Sequence, residues 1–246
     1  LQKDLLKSVE AIEKDYEAIS EIYTRSSSAG LSLGIVIHEI MHMISELAAA
    51  IESKPSDPHI TSLIRSLRKT TNDYAGVIKQ SSKEKILLPE VIDQAFSNIH
   101  FRLSAHNIEV VRSYSDSDLK STLVKCSPNL LMSTIINLVD NSIWWQEYAK
   151  TDTRKIYVDI VSEPKGYISV VIADNGPGFS IPQDEATRPF VSDKPGGMGL
   201  GLHLAHEVMQ AQKGQLFFPD PYDIEMPEEF QHGAKILLSF KQQEGR

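Results

Sequence analysis

Thiols are nearly missing from this chain. Cys126 is the only cysteine in 246 residues, so no disulfide can form within it and no cysteine cluster can hold a metal. The compartment expected from this is a reducing one, the cytoplasm. Long apolar runs are missing too. None approaches the roughly 20 residues that cross a bilayer, and no secretory leader is visible, so no membrane contact by this segment is expected. The first residue is Leu1 rather than Met, and we expect a piece of a longer protein. Basic residues are in deficit: Lys and Arg total 25 against 33 Asp and Glu, a net charge of −8. That balance argues against broad binding to nucleic acid or anionic lipid. No internal repeat is present. What remains is ordinary for a globular chain, with 41% hydrophobic and 24% charged residues. The length suits one or two domains that bury about 70–75% of the unfolded surface.

Hydrophobic periodicity divides the chain. Residues 1 to 53 carry Val9, Ile12, Tyr16, Ile19 and Tyr23, then Ile37, Ile40, Ile44, Leu47 and Ile51, at helical spacing. Lys54-Pro55-Ser56-Asp57-Pro58 breaks that helix. A second runs over 59–79 on Ile60, Leu63, Ile64, Leu67, Tyr74, Val77 and Ile78. Two such helices form a hairpin, and one copy cannot cover both apolar stripes. A homodimeric four-helix bundle through residues 1–82 covers them; packing on the rest of the same chain is the alternative. Residues 83–246 read as an α+β domain. Strands are expected at 86–88, 107–114, 122–126, 155–162, 167–173, 215–218 and 234–240, and helices at 89–104, 127–149 and 200–212. The stretch 219–231, acidic and with three prolines, reads as a loop.

Two glycine-bearing stretches carry the chemistry. Asp174, Gly176 and Gly178 follow the apolar run 168–173, which alternates poorly and so reads as a buried strand. Gly197, Gly199 and Gly201 lead into the helix at 200–212. Glycines at a loop-to-helix junction let backbone N–H groups approach an anion, and the helix start adds a favourable dipole. A carboxylate at a strand end accepts a hydrogen bond from an exocyclic amine such as adenine's. One end suits a base and the other phosphates, with a flap over 179–196 between them. Either triplet alone is as well explained by a tight turn. The helix at 127–149 adds Asn137 and Asn141, four apart and on one face. Two uncharged amides there suit a magnesium–phosphate ligand set, although alone they are ordinary helix-face polarity.

Together the segments NLVDNS (137–142), DNGPGF (174–179), PFVSDK (189–194) and GGMGLGL (196–202) resemble four boxes of the Bergerat-fold (GHKL) ATPases. These are the N box, the first glycine box, the phenylalanine box and the second glycine box, in that order. This superfamily holds gyrase and the sensor histidine kinases, and the resemblance spans residues 85 to 240. It implies an α/β sandwich: a mixed, largely antiparallel sheet with helices on one face, and ATP held between helices and a lid. By the same resemblance Asn141 is the magnesium ligand and Asn137 supports phosphate or metal. Asp174 meets the adenine amine, Gly176 and Gly178 shape the pocket floor, and Gly197, Gly199, Leu200 and Gly201 line the phosphates. Lys194, in the lid, reaches a phosphate or is simply solvated; Phe190 steadies the lid. Of Trp144 and Trp145, one is expected in the core and the other over the nucleotide or the helical domain, with core packing the plainer reading. ATP-hydrolysing relatives carry Glu at the start of the N box, where this chain has Asn137. Without that carboxylate, water attack is expected to slow by ~10²–10⁴, which favours transfer to a side chain. Asp140 does not share the asparagine face and reads as a capping or lid-anchoring acid.

Upstream, His38-Glu39-Ile40-Met41-His42 matches H-E-x-x-H, the zinc-peptidase helix, with His38 and His42 about 40° apart. A zinc hydrolase needs a third ligand, and Glu46, Glu52 and His59 stand in no recognised downstream pattern. Two solvated histidines are the plain alternative. The reading that fits the neighbouring domain is different. GIVIHEI (34–40) is similar to the H box of sensor histidine kinases. That makes His38 the phosphoacceptor and Glu39 the residue that holds or removes the proton on the other ring nitrogen. His42 stands where the family carries Thr or Asn for dephosphorylating its partner, and Met43 where it carries Pro. The resemblance therefore does not extend to a phosphatase step, and His42 is a second candidate acceptor. The function implied is an ATP-dependent histidine autokinase of a two-component system, passing its phosphoryl group to an aspartate of a response-regulator receiver domain. A GHKL module that binds ATP and changes shape without forming phosphohistidine is the alternative.

Overall fold

The computed structural model describes residues 83–114, 122–189, 191–195 and 199–242. The chain divides between Ala75 and Gly76 into two units, and every described residue belongs to the second. The hairpin expected over 1–82, with His38, Glu39 and His42, lies outside the described residues, as do Phe190 and Gly197.

Two prolines start the main helices. Helix α1 (Leu88–Ala105) and helix α2 (Pro128–Tyr148) each carry Pro in their first turn, where its fixed φ suits the helix and its missing N–H costs nothing. Helix α1 buries Val91, Ile92, Ala95, Phe96, Ile99 and Leu103, the 3.6-residue spacing of one face. Helix α2 buries Leu131, Ile135, Leu138 and Ile143. A short helix α3 (Gln183–Ala186) lies in the flap, and α4 (Gly201–Ala211) follows it.

Strands β1 (Glu84–Leu87) and β3 (Leu123–Cys126) form a separate antiparallel pair. The main sheet contains β2 (Ile108–Arg112), β4 (Arg154–Val161), β5 (Tyr167–Asp174), β6 (Gly214–Phe217) and β7 (Lys235–Lys241). Its order is β2-β4-β5-β7-β6, with β2 and β4 parallel and every other neighbour antiparallel. The fold is a mixed α/β sandwich.

Strand β5 shows why its sequence barely alternates. Ile168, Val170 and Ile172 enter the large core shared with α1, α2 and α4, while Val171 and Ala173 enter a second core on the opposite face. Successive side chains point to opposite faces, so a strand covered on both sides is apolar throughout. The second cover comes from 219–231. That stretch is more than a loop: it brings Ile224 and Phe230 onto Tyr157, Val171, Ala173 and Leu237, through a 3-10 turn at Glu228–Phe230. Cys126 is fully buried, and burial pushes its thiol up to about 12.

Candidate functional site

The carboxylate of Asp174 closes β5 and is 2% exposed. Its Oδ1 accepts hydrogen bonds from the backbone N–H of Gly176 at 2.9 Å and of Ala234 at 3.3 Å, and the Ser142 side chain also bonds to it. Burial pushes its pKa above the ordinary carboxylate value, while those three hydrogen bonds and the Lys235 charge pull the other way. Two turns press on it. A Cβ on Gly233 would lie 1.7 Å from the Asp174 carbonyl oxygen, so no other residue fits there without moving β5. Gly178 holds φ +77, and a Cβ on it would lie 2.9 Å from the His232 carbonyl oxygen. Asn175 ties the loop down: its Oδ1 accepts from Lys155 N–H at 2.8 Å, and its Nδ2 donates to the Thr153 carbonyl at 2.6 Å.

At the other end, Asn137 donates through Nδ2 to the Gly201 carbonyl at 2.8 Å. A Cβ on Gly201 would lie 3.2 Å from Asn137 Nδ2 and 3.4 Å from Asn141 Nδ2. The two asparagines and the start of α4 therefore meet at one place, with Gly199 in the left-handed region just before it (φ +67) and Leu200 buried beside it. The α4 N-cap, Leu200, makes no side-chain cap bond, so the first-turn N–H groups carry no side-chain acceptor at that position. Asp140 faces elsewhere and pairs with Arg102 of α1 at 2.7 Å.

The flap leans on both α4 and α2. His203 Nδ1 lies 3.0 Å from the Thr187 carbonyl; a carbonyl only accepts, so Nδ1 carries the proton. Its buried Nε2 meets no partner among the described residues. Lys194 Nζ sits 4.7 Å from the centroid of the Trp144 ring, a cation–π contact. Trp144 stacks on Tyr148 at 4.9 Å and meets Trp145 edge-on at 4.8 Å. The core placement expected for one of the two tryptophans is thus corrected. Both are half-buried and form an aromatic group with Tyr148, which is 60% exposed, at the end of α2. The reason is position, since the core-facing row of α2 passes through Leu138, Ser142 and Ile143 and then Gln146.

Three features fit an adenine nucleotide. A buried carboxylate suits an amine, a helix start beside two amides suits an anion, and one buried amide nitrogen lacks a partner among the described residues. That last group is Gln146. Its Oε1 accepts from Lys155 N–H at 2.9 Å, and its Nε2 has no partner.

Residues 126–244 match the family described as histidine kinase-, DNA gyrase B-, and HSP90-like ATPase. That match takes in all four box-like segments, from 137–142 to 196–202. The relatives of this domain are sensor kinases. It is similar to the C4-dicarboxylate transport sensor protein DctB of Pseudomonas aeruginosa, 25% identical over 232 residues, 84% of this chain and 35% of the relative. The chain thus spans about a third of that relative's length. The histidine kinase AdeS of Acinetobacter baumannii has a similar fold, with a TM-score of 0.58 at 18% identity over 83% of this chain and 98% of the other. The histidine kinase ThkA, solved in complex with the response regulator protein TrrA, reaches the same TM-score and identity over 93% of this chain and 66% of the other. The fold of residues 83–242 is thus like that of these two histidine kinases.

Sequence reading missed Gln146, Gly233 and His203. Gln146 is one polar residue on an aromatic helix end, and Gly233 is a lone glycine in a turn; neither carries a spacing signal. The glycine does stand two residues before β7, where a close approach of two strand ends is one reason for glycine.

Proposed function

We propose that this chain is the ATP-dependent autokinase core of a two-component sensor. ATP binds with its adenine amine on Asp174, over Gly176 and Gly178, and its phosphates at Gly197, Gly199, Leu200 and Gly201, with Lys194 reaching them from the flap. The observation that carries this reading is the convergence of Asn137, Asn141 and Gly201 at the start of α4, in the same domain as the buried Asp174. Among the described residues no group of three or more His, Cys, Asp and Glu side chains could hold a metal. The Asn141 amide oxygen would hold a magnesium ion beside the phosphates. When bound, the ion neutralises charge that develops on the transferring group.

A ring nitrogen of His38 accepts the γ-phosphoryl group and ADP leaves, while Glu39 holds or takes the proton on the other nitrogen. The phosphoryl group then passes to an aspartate of a response-regulator receiver domain. Residues 1–82 form the homodimeric helical hairpin that presents His38. The site favours transfer over hydrolysis. Asn137 is an amide with no basic group, and Asp140 is paired with Arg102, so neither is placed as a base for water.

Incubation with γ-labelled ATP and magnesium tests the proposal. Acid-labile label on wild type, absent from His38→Ala, is the expected result. Label that persists in His38→Ala would move the acceptor elsewhere, with His42 the next candidate. Tight ATP binding with no label at all would favour a module that only changes shape.

A further inference from the structure

Gln146 is 0% exposed, yet half of its amide is unused. The Lys155 N–H bonded to Oε1 fixes which way the amide points, since a backbone N–H can only donate. Nε2 is therefore the free end, a donor with two hydrogens, buried and without a partner among the described residues. Native structures rarely leave such a group unsatisfied, and each case calls for an unrepresented acceptor.

Its location says which acceptor. Gln146 lies one turn beyond Ser142 on the same face of α2, and Ser142 bonds to Asp174. A Cβ on Gly176 would lie 3.0 Å from Asp174 Oδ1 and 3.2 Å from Gln146 Cγ. The two side chains thus converge on one loop, one offering an acceptor and the other a donor. Adenine presents the complementary pair: an exocyclic amine that donates, flanked by ring nitrogens that accept. Guanine presents an acceptor, O6, in place of the amine, which would face the Asp174 carboxylate.

We infer that Gln146 is a second base-reading residue. Its Nε2 donates to a ring nitrogen beside the adenine amine, while Asp174 accepts from the amine itself. This inference rests on the nucleotide site proposed above and adds a determinant of purine specificity to it. The other such atom among the described residues, His203 Nε2, belongs to the ring whose Nδ1 bonds to the Thr187 carbonyl of the flap, with no comparable link to Asp174.

Calorimetry on the 246-residue chain tests it, with magnesium and three ligands: ATP, 1-deaza-ATP and 7-deaza-ATP. Each analogue replaces one flanking nitrogen by C–H. Wild type should bind one of the two about five- to tenfold more weakly than ATP, the value of a net hydrogen bond. In Gln146→Leu, ATP should weaken by a similar factor and that analogue's penalty should vanish. Gln146→Glu, which keeps an acceptor for Lys155 N–H but loses the donor, should weaken ATP at least as much, and it serves if the leucine variant fails to fold. Equal binding of ATP and both analogues by wild type would overturn the inference and point to a bound water as the partner, with the nucleotide site intact. A penalty undiminished in the variants would overturn it too. No heat from ATP with folded wild type would instead remove the site reading, and the inference with it.

Discussion

Asp174 is held between a burial cost and a set of donors, and the balance has a measurable sign. Burial raises its folded pKa above the ordinary 3.8, so the folded state holds its proton longer than the unfolded chain does. The associated stability is present at acid pH and is lost as pH rises through the raised folded value. Nucleotide binding runs the other way, because the ionised carboxylate is the better acceptor for an amine. Without nucleotide, unfolding measured across a pH series should show wild type losing ground to Asp174→Asn as pH climbs from 3.8. Calorimetry over the same range should show wild-type ATP affinity rising. At neutral pH, Asp174→Asn should cost about ten- to a hundredfold in ATP affinity, as expected for a hydrogen bond to a charged group. A flat affinity profile would remove Asp174 from the base-binding role.

Helix α2 organises the domain because each of its faces has a different task. Leu131, Ile135 and Leu138 face the core, Asn137 and Asn141 face the start of α4, and Ser142 and Gln146 face the Asp174 loop. The first two rows were legible from 3.6-residue spacing. The aromatic end was not, because bulky apolar side chains look like core wherever they stand. Their placement gives Lys194 a resting partner that a phosphate can outbid, since a cation–π contact near the surface contributes about 0.5–1 kcal/mol. ATP should therefore change tryptophan fluorescence, and Lys194→Met should abolish the change and weaken ATP several-fold. A fluorescence response that survives in the variant would place the nucleotide itself over Trp144.

The stretch 219–231 was half legible: its prolines and acids announced irregular backbone but concealed the anchor. Phe230 is 0% exposed and packs against Tyr157 at 5.3 Å between ring centroids. Phe230→Ala should cost about 3–5 kcal/mol in denaturant unfolding, the usual cost of an aromatic core truncation. A loss below 1 kcal/mol would show that the second core contributes little.

Across the whole molecule, order along the chain was the most readable property. Strands, helices and glycine loops fall within a few residues of their expected places, because both period and punctuation are local. What joins distant segments was not readable. The Asp174 loop is completed by Gly233 and Ala234, about sixty residues on, and no local pattern marks that meeting. The pairing of β2 with β4 in parallel likewise follows from how the intervening helix returns the chain.

The lone thiol has a practical consequence. At fully buried Cys126, with its pKa pushed up to about 12, thiolate is scarce at neutral pH and alkylating reagents find little to attack. Native protein should consume almost no Ellman's reagent from this position, while unfolded protein titrates it at once. A reporter cysteine placed in the flap would then be the reactive one within residues 83–242, ready for a spin label or fluorophore on an otherwise natural background.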